Sequence, residues 1–216
     1  MPETVLADPT LSTRLDGFAA AYSVMARLLL APADAELQQR LSDPDLLDSW
    51  PMPRDPETSR GLTFLGASLS AGEGETTLQR DFERLFVGPN ASLAPPYESV
   101  YRSVDRLLFD APTFEVRAEY SSLGMQAPNF NREPDDHLGL EFSYLALVCE
   151  NALDALERMD TQGLDDALEA QHRFLAEHVL CWGADCLGLI EANAETAFYR
   201  GVGALGIGVL AHAVSW

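Results

Sequence analysis

The chain has 216 residues, 47% hydrophobic and 22% charged, a balance that suits a globular core and is too apolar for a disordered chain. Its 34 acidic residues outnumber 14 basic ones, all of them arginine, for a formal net charge of -20. The absence of lysine excludes a Walker A lysine, a Schiff-base lysine and a lysine general base, while the acidic balance disfavours nucleic acid and anionic membranes and favours either a basic partner or simple solubility.

MPETVLADP at the start is not followed by the basic and then apolar succession of a signal peptide, and no apolar run reaches the ~18 residues of a membrane span. A cytoplasmic chain without stable membrane insertion is expected. From Leu15 to Leu30, Phe18, Tyr22, Met25 and Leu29 recur at helical spacing, and Pro32 ends the helix. Ala35 to Leu41 reads as a second, short helix. Pro44, Pro51, Pro53 and Pro56 then mark residues 43–60 as a loop. A helix is predicted over Gly61 to Leu69, a turn at 71–76, and a further helix from about Thr77 with Leu78, Phe82, Leu85 and Phe86 on its apolar face. GPNASLAPP breaks that helix and gives a loop around 87–96.

Tyr97 to Asp110 carries Val100, Tyr101, Val104, Leu107 and Leu108 with helical period, and Phe114 to Leu123 continues in kind. A polar, proline-bearing connection follows over 124–137. The strongest pattern is Leu138 to Met159, a long core helix. Helices over Leu164 to Leu189 and about Ala194 to Ala213 complete the chain. Alternating β patterns are nearly absent, so the expected fold class is all-α, a single compact bundle-like domain over residues 1–216.

The chemistry-bearing patterns are mostly weak. Gly201, Gly203 and Gly206 spell G-x-G-x-x-G, but a helical segment precedes them instead of a strand, so they are read as close helix contacts. His178, Cys181 and Asp185 stand at helical offsets of three and four, a metal-ligand set with no fourth member. There is no G-x-S-x-G elbow. Cys149, Cys181 and Cys186 are an odd, widely spaced set, expected to be reduced. The most distinctive polar cluster is EPDDH at 133–137, where Glu133, Asp135 and Asp136 surround His137. Asp135 or Asp136 suits an N-cap for the helix that follows, the carboxylates favour a charged imidazole, and the cluster also suits a negative pocket for a guanidinium group.

Three ordered blocks carry a resemblance. They are EPDDHLGLEFSYLA from Glu133 to Ala146, DFERLFVGPNASLAPPYESVYRS from Asp81 to Ser103, and FLAEHVLCWGADCLGLIEANAETAFYRGVGAL from Phe174 to Leu205. Together the sequence resembles the TorD/DmsD family of redox-enzyme maturation chaperones, which includes those of nitrate-reductase maturation. The resemblance implies an all-α cytoplasmic chaperone without enzymatic activity. It would bind the twin-arginine signal peptide or precursor of a molybdopterin-dependent oxidoreductase and assist cofactor insertion before export, with no cofactor or metal assigned to itself. Carried over to this chain, signal-peptide or client binding falls on Asp136 and His137 with Glu133 and Asp135 beside them, on the apolar pair Leu85 and Phe86, and on Tyr97 and Glu98. The implied partners are that precursor and its leader, with molybdenum cofactor-delivery proteins and a homo-oligomer left open. Two other readings stand beside it: a small metal-dependent or hydrolytic enzyme using His137 and its neighbouring acids, and a structural assembly partner of a redox complex.

Overall fold

A computed structural model describes residues 9–41, 43–88, 92–105 and 107–214. The N-terminal residues 1–8, read above for a signal peptide, and residues 89–91 of the expected 87–96 loop lie outside the described residues. The described residues form helices and no strand, with one isolated bridge between Tyr97 and His137, so the all-α expectation holds. None of these helices is long and apolar enough to cross a membrane.

Helix α1 (Pro9–Leu30) buries Leu15, Phe18, Tyr22, Met25 and Leu29, the stripe expected from its period. Its C-terminal end is closed by Arg27, which donates to the carbonyls of Ala31 and Pro32 and pairs with Asp34. Helices α2 (Ala35–Leu41) and α3 (Pro44–Asp48) follow, and α4 (Pro56–Ala71) starts five residues before the predicted Gly61. The expected loop over 43–60 is therefore corrected: it contains α3 and the first turn of α4. Pro56 sits at the first helical turn, where a missing N–H costs nothing, and Asp55 caps it by accepting from Thr58 N–H at 2.6 Å.

Helix α5 (Glu75–Phe82) runs on into a π-helical turn, Glu83–Val87, that ends at Gly88 with φ of 61°. Helix α6 (Glu98–Arg102) is only five residues long, so the predicted helix from Tyr97 to Asp110 is also corrected. Val104, Leu107 and Leu108, expected on its buried face, are exposed, because the chain leaves helical geometry at Ser103. Arg106 lies outside the described residues. Helix α7 (Ala111–Ser122) begins under an Asp110 cap, and α8 (Leu138–Glu157) matches the long core helix read from the sequence.

The predicted helix from Leu164 to Leu189 is a longer run: α9 (Thr161–Phe174), a π-helical turn Leu175–Val179, and α10 (Leu180–Asn193). Helix α11 (Ala197–Ala213) follows, capped by Thr196. The main packed pairs are α1 on α8, α8 on α9, α10 on α11 and α11 on α4. Aromatic rings join the first two pairs, with Tyr22 stacked on Phe142 at 5.7 Å and Tyr144 against Phe174 at 4.3 Å. The glycine motif lies in the last two pairs. A Cβ on Gly203 would stand 2.7 Å from the backbone of Leu187 and Glu191 in α10, and one on Gly201 would stand 2.9 Å from the Gly61 carbonyl in α4. These glycines serve helix contact, as their sequence context indicated.

Candidate functional site

Two segments far apart in the chain are fastened together beside α8. Glu98 N–H donates to the Asp136 carbonyl at 2.9 Å and Leu138 N–H to the Pro96 carbonyl at 2.8 Å, which pairs Tyr97 with His137. The buried Asp136 side chain extends the join. Its Oδ2 accepts from Ser99 N–H at 2.6 Å, serving the first turn of α6, and its Oδ1 accepts from the Thr113 hydroxyl on α7 at 2.6 Å. The expectation that Asp135 or Asp136 caps α8 is corrected, because the cap is His137, whose Nδ1 accepts from Gly139 N–H at 3.0 Å.

A ring nitrogen that accepts an amide N–H belongs to neutral imidazole. Burial also pushes His137 down to about 4. The expected charged imidazole is thus overturned, since desolvation dominates and the flanking carboxylates are engaged elsewhere. Asp135 is buried and already holds a guanidinium: Arg117 donates to its Oδ2 from Nε at 3.1 Å and Nη2 at 2.5 Å. That guanidinium also lies over the rings of Phe130 at 4.5 Å and Phe114 at 5.4 Å.

Glu98 is fully buried as well. It pairs with Arg102 and faces His178 Nδ1 at 3.0 Å from the second π turn. Glu141, one helical turn into α8, accepts from Trp182 Nε1 at 3.3 Å while its Oε1 has no donor. Burial, followed by the charges of Glu98 and Asp136, raises Glu141 well above the usual carboxylate range. Desolvation and these neighbouring charges favour the neutral carboxyl at Glu141. Nothing in the sequence pattern singled out Glu141, Arg102 or the partnership of His178 with Glu98.

Open to solvent in front of this network is a groove of about 380 Å³, lined by Leu30 of α1, Phe82, Phe86 and Val87, Pro96 and Tyr97, residues 127–129 and 133–134, His137 and Leu140. Tyr97 and His137 meet edge to face at 5.2 Å. Glu133 is the one carboxylate on the lining among the described residues; it is exposed and accepts from Asn129 Nδ2 at 2.9 Å. Burial, then the charge of Glu133, raises the Tyr97 phenol, which stays a neutral donor. Phe86 lines the groove and packs on Phe82 at 4.8 Å, whereas Leu85 is turned wholly into the core.

Of the residues singled out in the sequence, then, Phe86, Tyr97, Glu133 and His137 share the groove. Glu98, Asp135 and Asp136 lie behind it, and Leu85 lies beneath. Leu30, Phe82 and Leu140 complete it; each belongs to a recognisable apolar stripe, but only the tertiary arrangement shows that they converge. The His178, Cys181 and Asp185 set does not assemble. His178 faces Glu98, the exposed Cys181 thiol donates to the Ala176 and Glu177 carbonyls, and no group of three or more potential metal ligands is gathered among the described residues. The cysteines are free, with Cys149 and Cys186 buried.

A profile of the family described as nitrate reductase delta subunit matches residues 54–187, which includes the groove from Phe82 to Leu140. The chain belongs to the nitrate reductase delta subunit family. Among similar members is the Tat proofreading chaperone DmsD of Salmonella typhimurium, 27% identical over 194 residues, covering 88% of this chain and 85% of the relative. The chaperone protein YcdY of Escherichia coli is 30% identical over 155 residues, 72% of this chain and 68% of its own. The chaperone protein TorD of Vibrio cholerae is 32% identical over 134 residues, 58% of this chain and 59% of its own. These relatives of the nitrate reductase delta subunit family are named as chaperones, not as enzymes.

Proposed function

We propose that this chain is a cytoplasmic chaperone that holds the precursor of a molybdopterin-dependent oxidoreductase by its twin-arginine leader while the cofactor is inserted. The observation that carries this reading is the groove, whose apolar floor runs past a single exposed carboxylate, Glu133, at the Tyr97–His137 join. Such a leader has a basic head and an apolar body. The chain's acidic surface draws the head in from a distance, a salt-sensitive attraction without selectivity. Selectivity then falls to Glu133, which can take a guanidinium in a planar, paired contact, and to Tyr97, whose phenol donates. Phe82, Phe86 and Leu140 bury apolar side chains, a contribution that salt does not screen.

In this reading Asp135, Asp136 and Glu98 are positioning residues, since their oxygens are engaged by Arg117, by Ser99 with Thr113, and by Arg102 with His178. Calorimetry with a synthetic peptide carrying two adjacent arginines before an apolar run tests it. Glu133→Gln and Tyr97→Ala should each weaken binding by about tenfold, roughly 1.4 kcal/mol. Asp166→Asn, on the exposed face of α9, should leave binding unchanged. A parent chain that ignores the peptide, or two groove variants that bind it as the parent does, overturns the proposal.

A further inference from the structure

A second concavity, of about 390 Å³, opens on the other side of the C-terminal end of α1. One wall is α1, with Val24 and Leu28; the floor is Leu65 of α4 and Phe198 of α11; the outer wall is the α2–α3 hairpin with Leu46 and Trp50. Its apolar walls are partly open to solvent, Val24 by 41% and Leu46 by 36%. The Trp50 indole N–H is buried without an acceptor among the described residues. The hairpin makes few close approaches to the rest of the fold beyond those between its own two helices, so it stands as a separate wall over the slot.

The slot and the groove share two boundaries. Within the last turn of α1, Leu30 lines the groove while Arg27 and Leu28 line the slot. Phe82 and Phe86 of the groove pack on Tyr199, whose neighbour Phe198 lines the slot. The two concavities thus lie on either side of the end of α1, and a chain would pass from one to the other over the segment that Arg27 holds. Charge around the slot suits a basic, apolar occupant. The exposed acids Asp34, Glu36, Asp43, Asp45 and Asp48 stand on or beside the hairpin, and Arg27 is held by Asp34 and two carbonyls. Arg54 pairs with Asp48, and with Arg27 and Arg40 it leaves the five acids in excess among the described residues.

We infer that this slot receives the apolar run of the same leader whose basic head is held at Glu133, an inference that rests on the proposed leader-binding function. The leader then spans two sites, and its apolar body is read by the α2–α3 hairpin as well as by the groove floor. Anchoring a segment at two adjoining sites makes the second contact intramolecular and raises affinity beyond either site alone.

The test uses the full chain and two synthetic peptides, one with paired arginines before a leucine-alanine run and one with that run replaced by serine. Val24→Asp and Leu46→Asp place a charge on already exposed slot walls. Each should weaken binding of the apolar peptide by about tenfold or more, leaving the serine peptide bound as by the parent. Variants that hold the apolar peptide as the parent does overturn the inference, and so does a parent that binds both peptides equally. A parent that binds neither removes the leader reading itself, and this inference with it. A concentration-dependent dimer that Val24→Asp dissolves, with peptide affinity intact, assigns the slot to a second copy and overturns the inference too. If either variant fails to fold, a photoreactive leucine in the run decides on the unaltered chain. Labels on residues 24–28 or 37–50, Leu65 or Phe198 support the slot, and labels confined to Leu30 and residues 82–140 overturn it.

Discussion

The carboxylate of Asp136 reaches across 37 positions of sequence to accept the backbone N–H of Ser99 at 2.6 Å. The same carboxylate takes the Thr113 hydroxyl, so one buried side chain ties the loop before α8 to the starts of α6 and α7. Asp136→Ala strands both donors in the interior and should cost about 3 kcal/mol of stability by urea denaturation. Asp136→Asn, which keeps one acceptor, should cost less. A loss under ~0.5 kcal/mol for the alanine variant would show that the tie contributes nothing.

Leu85 and Phe86 are adjacent in the π turn yet have different surroundings. Leu85→Ala leaves a cavity in the core and should destabilise by about 2 to 5 kcal/mol. Phe86→Ala should destabilise less, because its ring already borders the groove, and should weaken peptide binding more. Denaturant melts paired with calorimetry check both; equal loss of stability with no loss of binding would remove Phe86 from the groove.

Glu141 keeps its proton in the folded chain at pH values where the unfolded chain has released it. The folded state then binds more protons than the unfolded one, so Glu141 lowers stability as pH rises above about 4.5, the unperturbed glutamate range. Glu141→Gln keeps the shape of the side chain and stays neutral at every pH, so it carries no such penalty. Its melting temperature should match or exceed the parent's at pH 8, and the gap should narrow towards pH 5. A variant less stable than the parent at pH 8 contradicts the protonated assignment.

For His137 the sign is opposite. Its folded value of about 4 lies below the unperturbed ~6.5, so its contribution is full above pH 6.5 and fades as pH falls towards 4. Proton NMR should give His137 a titration midpoint near 4, and a midpoint near 6.5 would refute the neutral, capping imidazole. His137→Ala should cost about 1 kcal/mol through loss of the cap, and His137→Asn, which retains a cap acceptor, should cost less.

Two glycine substitutions separate packing from helix propensity. Gly203→Ala drives a methyl into the backbone of Leu187 and Glu191 and should lower the melting temperature sharply. Gly66 in α4 has open space around it, so Gly66→Ala should be neutral or stabilising by up to about 1 kcal/mol. Similar effects at both sites would mean that α10 and α11 are not in contact at Gly203.

The long helices were legible because their apolar stripes are regular: Phe18 to Leu29 and Leu138 onward match the buried faces of α1 and α8. Prolines misled where they begin helices, as Pro56 does in α4 under its Asp55 cap. Val104, Leu107 and Leu108 kept a helical period in a segment that is not helical, since a period records spacing and says nothing about what is available to pack against. The site was legible as a neighbourhood. EPDDH and the PPYE segment do meet, but Asp135, Asp136 and Glu98 face inward to partners on α6, α7 and the second π turn. Long-range pairing of that kind leaves no local trace.

The second π turn, Leu175–Val179, accommodates one residue more than an α-helix would over the same length. It sets the phase between two interfaces, because α9 before it packs on α8 and α10 after it packs on α11. Regularising this turn to α geometry without removing a residue would rotate α10 by about 100° relative to α9. Trp182 would swing off Glu141, and Leu187 and Glu191 would turn away from Gly203. A chimera joined within 175–179 therefore keeps both interfaces either with the π turn and its full residue count or with a regular α turn one residue shorter, and loses them when count and geometry are mismatched.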